Sequence, residues 1–201
     1  QTLVNEFRDY ARLPRSKPAP LDLNALVTEV LGLYGQSLDR GVLSAELAER
    51  PPRIMGDATP LRQVIHNLVQ NALDAVAERP DGHVKVITRL IHDDHGALKY
   101  LRLSVQDNGP GFAEKVLKRA FEPYVTTKAK GTGLGLAVVK KIADEHGARL
   151  RALNLHEGDQ PEGAVVGARV SLSFSTFAPV PAGPETPAGP APAPGDTTQA
   201  H

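Results

Sequence analysis

The sequence predicts an α+β domain built as a two-layer sandwich, a mixed and mostly antiparallel sheet with helices on one face. Three observations predict it. Residues 57–77 form one long amphipathic stretch: at about 100° per residue, Leu61, Ile65, Leu68, Ala72, Ala75 and Val76 fall on one side, away from the polar positions. Two β-rich runs, 84–91 and 100–105, flank a polar turn at 93–96 and predict a hairpin. Helical and strand-like segments also follow one another in blocks, which favours an antiparallel sheet backed by helices.

The elements follow in order. Leu3, Val4, Phe7, Tyr10 and Ala11 recur at helical spacing and predict the end of a helix over 1–13, stopped by Pro14. Residues 14–20, bracketed by prolines, read as a linker. One folded domain is expected over 21–177. It opens with a helix over 24–34, capped by Asp22 or Asn24. Weak strands follow at 43–47 and around Ile54, separated by Pro51 and Pro52. Asp57 opens the long helix, with Pro60 in its first turn. After the hairpin come a glycine loop at 109–111, a short helix over 114–120 and an irregular stretch to 130. A helix over 133–145 ends at Gly147, a favourable residue just past a helix C-terminus. Strands at 149–155 and 168–174 close the domain. Residues 178–201, with seven prolines and no apolar periodicity, are expected to be disordered.

Composition sets limits on partners. The chain has 201 residues, a formal net charge of zero and no cysteine. The charge balance gives no reason to expect nucleic acid or direct membrane contact. The lack of cysteine excludes disulfides and cysteine-based zinc sites, and fits a reducing, cytoplasmic location. No stretch approaches the roughly 18 apolar residues of a membrane span. The first residue is Gln1, so the chain is expected to be a piece of a longer protein, whose parent could carry a membrane anchor.

Three features carry chemistry. On the long helix, Gln63, Asn67, Asn71 and Asp74 share an arc of about 80°. A solvated face favours Glu and Lys; each Asn costs roughly half a kcal/mol relative to Ala. Two asparagines a turn apart, with an acid beyond, point to a site that needs oriented neutral oxygens, of the kind a phosphate-bound Mg²⁺ takes from a protein. The second feature is Asp107-Asn108-Gly109-Pro110-Gly111 at a strand end. A carboxylate there can accept a hydrogen bond from an exocyclic amine such as adenine's, and glycines let the backbone approach a flat ring. The third is Gly131-Thr132-Gly133-Leu134-Gly135-Leu136 leading into a helix, where bare N–H groups and the helix dipole favour phosphate. It fits neither the Rossmann fingerprint nor a P-loop. Between them lies Phe121-Glu122-Pro123-Tyr124-Val125-Thr126-Thr127-Lys128, in which Lys128, or alternatively Lys130, offers a point charge for a terminal phosphate.

In this order the segments resemble the sensor histidine kinases. Asn67-Leu68-Val69-Gln70-Asn71-Ala72-Leu73-Asp74-Ala75 resembles that family's N box. The segment from Asp107 to Gly111 resembles its first glycine box, that from Phe121 to Lys128 its F box, and that from Gly131 to Leu136 its second glycine box. The Thr126-Thr127-Lys128 form, Asp74 and the opening segment resemble the nitrogen-regulation (NtrY/NtrB) branch. The resemblance covers residues 21–174 and implies a Bergerat (GHKL) fold, with ATP between helices under a lid spanning 126–132. It implies Asp107 on the adenine amine and Asn71 on Mg²⁺, with Asn67 close by. Asn67, Asn71 and Lys128 would be catalytic. Asp74, Gly109, Gly111, Tyr124, Thr127, Lys128, Gly131, Thr132, Gly133, Leu134 and Gly135 would complete the ATP site. The partners implied are an upstream dimerisation and histidine-bearing helix, which makes the full-length protein a homodimer, and the receiver domain of a response regulator.

In that family the phosphoacceptor is a histidine in a His-Glu-x-x-Asn-Pro-like helix, expected upstream of residue 1, so this chain is expected to bind ATP without phosphorylating itself. His156-Glu157 lies in a turn context and is not read as its equivalent. His66 reads as a satisfied or exposed helix histidine, and His83, His92, His95, His146 and His201 show no metal-ligand spacing. With only part of a dimerisation helix, the chain is expected to be a monomer or weak dimer. The runner-up readings are a water-using GHKL ATPase and an anti-sigma serine kinase; the ATPase expects a glutamate where Asn67 stands. A non-catalytic nucleotide sensor is a further alternative.

Overall fold

A computed structural model describes residues 16–118 and 135–180 of the chain. The elements are β1 (Ala19–Leu21), α1 (Leu23–Leu31), a 3₁₀ turn (Gly32–Tyr34), α2 (Gly35–Asp39), β2 (Leu43–Glu46), β3 (Ile54–Gly56), α3 (Ala58–Val76), β4 (Val84–His92), β5 (Leu98–Asp107), α4 (Glu114–Lys118), α5 (Gly135–Glu145), β6 (Arg149–His156) and β7 (Val165–Phe174). The predicted helix over 1–13, the F box, all of the second glycine box before Gly135, and the tail beyond 180 lie outside the described residues.

Strands β2-β4-β5-β7-β6 form one sheet, with β2 parallel to β4 and every other pair antiparallel. This is the expected mixed sheet with helices on one face. Alternation puts Val84, Val86, Leu101, Leu103, Val105, Val170 and Leu172 on the covered face, against Leu26, Val30, Leu61, Ile65, Leu68, Val139 and Ile142 from α1, α3 and α5.

Local choices set the elements. Asp22 rather than Asn24 caps α1, accepting from Ala25 N at 3.1 Å. Asn24 instead donates to Ala48 O and accepts from Thr88 Oγ1, tying α1 to β4. Asp57 caps α3 through Thr59 N, and Gly147 follows α5 at φ +61°.

Two expectations need correction. The last residues of the supposed linker, Ala19 and Pro20, belong to β1, which pairs with β3. A three-residue strand with one proline before it and one inside it carries almost no periodic signal; its partner about 35 residues on supplies the order. Ala75, assigned to the apolar side of α3, is exposed, whereas Val64 and Val69 are fully buried. Ala75 sits at the edge of the apolar arc in the last turn, where the helix leaves the sheet and meets a loop instead.

Candidate functional site

The polar face of α3 and the loop after β5 come together at the C-terminal end of α3. Asp107 ends β5 and lies between Val84 of β4 and Ala168 of β7. Its Oδ1 accepts from Gly109 N at 2.8 Å, which folds the loop back on the strand end. Burial pushes the carboxyl above its ordinary range, against the lowering pull of the Gly109 and Ala168 amides and of Arg79. A carboxylate short of solvent is primed for a neutral N–H donor that arrives with no counter-charge.

The loop is held from three sides. Asn108 accepts from His83 N at 2.7 Å and donates to Asp81 O at 2.8 Å. Asn154 of β6 grips the Phe112 backbone with two bonds of 2.7 Å. Gly109 lies so near α3 that a Cβ would stand 2.9 Å from Ala75 O, and Gly111 adopts φ +75°. These glycines therefore serve close backbone contact with α3 and a left-handed turn, in addition to any role beside a ring. At the neighbouring strand, a Cβ on Gly167 would stand 2.0 Å from Asp107 O, so β7 can pass the site only as glycine.

The contrast among asparagines is informative. Asn24, Asn108 and Asn154 each make two side-chain hydrogen bonds. Asn67 and Asn71, half-buried on α3, make none among the described residues. Buried polar groups normally find partners, so a pair of half-buried, idle amides one turn apart fits a ligand's oxygens or its cation. Asp74, one turn past Asn71, accepts from Gln70 Nε2 at 2.8 Å.

Tyr34, read from sequence only as the end of the first helix, crosses over α3. Its hydroxyl lies 2.6 Å from His66 Nδ1, with ring centroids 5.5 Å apart. Burial, then the Asp74 charge, raises its pKa and keeps it a neutral donor. Position 34 ends an apolar run, so its pattern reads as core, and only the fold brings it to His66.

Of the predicted site residues, Asn67, Asn71, Asp74, Asp107, Gly109 and Gly111 are placed in this one region. Gly135 starts α5. Tyr124, Thr127, Lys128, Gly131, Thr132, Gly133 and Leu134 lie outside the described residues. Three other histidines have structural partners: His83 Nε2 lies 3.1 Å from Ser44 Oγ, and His146, buried, donates from Nδ1 to Ile142 O at 2.8 Å and accepts from Asp57 N at Nε2 at 3.0 Å. His156 ends β6 rather than lying on a helix, with Nδ1 2.9 Å from Gly163 O. No cluster of metal-ligating side chains occurs among the described residues.

A carboxylate at a strand end, a glycine turn against the helix and an asparagine face define a nucleotide-binding ATPase fold. Residues 56–176 match the family of histidine kinase-, DNA gyrase B- and HSP90-like ATPases, and the chain belongs to it. Within that family it is a catalytic domain of the sensor histidine kinase kind. It is similar to the C4-dicarboxylate transport sensor protein DctB of Pseudomonas aeruginosa (37% identity, covering 82% of this chain and 26% of DctB). It is also similar to a putative NtrY-like sensor histidine kinase of Rickettsia conorii (34% identity, 86% and 27%). The chain thus spans about a quarter of the length of these relatives. Among solved structures, the catalytic domain of histidine kinase ThkA matches with a TM-score of 0.64 at 28% identity, over 80% of this chain and 96% of that one. ThkA in complex with response regulator protein TrrA matches at 0.67 and 26% identity, over 88% and 47%. Full-length ShkA in complex with AMPPNP matches at 0.65 and 29% identity, over 89% and 36%.

Proposed function

We propose that the parent protein transfers the γ-phosphate of Mg-ATP to a histidine on a dimerisation helix outside this chain, for relay to the receiver domain of a response regulator, and that nitrogen regulation is its nearest functional branch. The observation that carries this reading is the pair of half-buried amides, Asn67 and Asn71, idle beside the Asp107 loop. The solved relatives that hold AMPPNP and a response regulator support it.

On this reading Asp107 accepts the adenine amine, and its desolvated carboxyl rejects a base lacking a donor there. Asn71, with Asn67 beside it, would hold Mg²⁺, which when bound supplies charge neutralisation to the phosphates. The donor set fits: a cation already carrying phosphate oxygens needs only one or two neutral protein oxygens. Lys128, with Lys130 as its alternative, and the amides around Gly133 and Gly135 would complete the phosphate cradle, with Tyr124, Thr127, Gly131, Thr132 and Leu134 in the segment that covers it. Catalysis is then mostly positioning and electrostatic stabilisation, as expected for phosphoryl transfer. Asn67 cannot serve as a general base at neutral pH. That favours transfer to a supplied imidazole over hydrolysis. Dimerisation through the histidine-bearing helix and a cytoplasmic setting follow from the same reading; no helix among the described residues is long and apolar enough to cross a membrane.

The test is incubation of the chain with γ-labelled ATP and a separately supplied histidine hairpin. Acid-labile label on the hairpin histidine is expected. Rapid phosphate release with an unlabelled hairpin would favour the ATPase reading, and tight binding with neither would favour a nucleotide sensor.

A further inference from the structure

The sheet face turned away from the helices is unlike the rest of the molecule in charge. Register places Glu46 of β2, Lys85 and Arg89 of β4, Arg102 of β5, Arg169 of β7, and Arg149 and Arg151 of β6 on that one face. Six cations thus share it with one carboxylate, in a chain whose overall charge balances to zero. Lys85 takes the carboxylate, 3.1 Å from Glu46 Oε1. The five arginines have no ion-pair partner among the described residues.

Arg89 stands directly across the ladder from Arg102. Like charges in directly opposed positions destabilise a sheet, so folding gives no reason for the pair. Two of the guanidinium groups are nevertheless held in place by neutral acceptors. Arg102 Nε donates to Ser173 Oγ at 3.1 Å, and Arg169 donates through Nε and Nη2 to Gln106 Oε1 at 3.2 and 2.8 Å. Such partners fix direction without cancelling charge. Beneath them Ser104 and Ser171, both buried, are joined Oγ to Oγ at 3.0 Å. Lys85, Arg89, Arg102, Arg169, Ser104 and Gln106 line one open depression of about 240 Å³, together with Ile87 and with Glu46, the carboxylate that Lys85 takes.

We propose that this depression is a second binding site, distinct from the nucleotide cleft, for a compact multivalent anion bearing phosphate or carboxylate groups. The chemistry selects that class. Oriented guanidinium forks match planar or tetrahedral oxyanions through paired N–H bonds. The Ser104 hydroxyl and Gln106 amide supply further polar partners, and Ile87 alone offers apolar surface. Convergence of four cations on one small depression favours a small ligand over an extended acidic surface. The anion relieves the Arg89–Arg102 repulsion, so its binding stabilises the folded domain.

The test uses inorganic tripolyphosphate and citrate as separate probes. Each is titrated into the ¹⁵N-labelled chain at low salt, with Mg-ATP absent and then saturating. Saturable shifts of the Arg102 and Arg169 Nε–H signals are expected with at least one probe, and the stronger probe identifies phosphate or carboxylate as the natural group. The Gly109 amide should stay still, and saturating Mg-ATP should leave the affinity unchanged. Affinity should fall with added salt and by about tenfold or more for each of Arg102→Gln and Arg169→Gln. Both variants should keep wild-type Mg-ATP affinity, which shows that they fold. The proposal is overturned if neither probe binds at millimolar concentration, if the shifts gather at residues 107–111, or if the variants bind as well as wild type. Capture of the chain by anionic phospholipid vesicles without binding of either probe would replace it with a lipid-surface role.

Discussion

The two ends of α3 are made of similar residues and behave differently. At its N-terminal end the capping groups are engaged. Asp57 caps the helix and also accepts from Lys17 N at 2.9 Å, while His146 bridges the Asp57 amide to the last turn of α5. From its middle onward Asn67 and Asn71 are half-buried and make no hydrogen bond among the described residues, and the Asp107 carboxyl, whose loop packs on the last turn at Ala75, is held in an environment that disfavours its charge. One end is tied to α5 and to the chain before β1; the other leaves two half-buried amides without a hydrogen bond among the described residues.

That contrast breaks down in defined ways. The largest effect should come from Gly167→Ala, whose Cβ meets the Asp107 carbonyl oxygen at 2.0 Å. Parting β7 from β5 there should cost about 3 kcal/mol or more in denaturant unfolding; a smaller loss would mean that the strand end beside the cleft yields easily. His146→Ala should follow, at about 2–3 kcal/mol, because it leaves both a cavity and an orphaned Asp57 N–H. Its affinity for Mg-ATP, measured on the folded fraction, should not move, whereas a large change would join the two ends functionally.

Asp107→Asn should weaken Mg-ATP by about 1–3 kcal/mol in calorimetry, through one mismatched buried partner. Its stability should change the other way. A carboxyl whose native pKa is raised contributes stability fully below its ordinary range, and loses it as pH rises through the native value. The asparagine variant never ionises, so its ligand-free melting temperature at neutral pH should equal or exceed wild type, with the gap closing in acid. The same elevation predicts that wild-type nucleotide affinity rises with pH through the carboxylate range, since the amine needs an ionised acceptor. Smallest in energy is Asn71→Ala, which should stabilise the ligand-free domain by about half a kcal/mol through helix propensity while abolishing Mg²⁺-dependent stabilisation by ATP. If the alanine variant lost stability instead, Asn71 would belong with the structural asparagines.

Periodicity and turn chemistry made most of this fold legible. The α3 stripe, the hairpin, the Asp107 loop and the α5 stop at Gly147 each follow from local pattern, and the site residues on α3 and β5 were readable because asparagine on a helix face is a local anomaly. What escaped was set by distant partners. Ala19 and Pro20 look like linker until β3 lies alongside. Tyr34 packs on the core as its pattern suggests, but nothing in the sequence shows that it also reaches His66. Gly109 and Gly111 invite a ligand explanation from sequence, yet Ala75 O and a left-handed turn already require them. The arginines of the outer face are spread over four strands from Arg89 to Arg169, and no window of sequence brings them together; only register does.

The short strand β3 has a consequence for how the domain is joined to whatever surrounds it. On one side it carries Ala19–Leu21; on the other, Met55 N donates to Thr176 O, Ala178 N donates to Arg53 O, and Ile54 bridges Phe177. The domain's way in and its way out are therefore stitched to the same short run, residues 53–56, like both leads of a circuit brought to a single socket. A unit wired this way can be spliced between unrelated neighbours, or have its ends fused and be reopened at the 93–96 turn, with little disturbance to its interior.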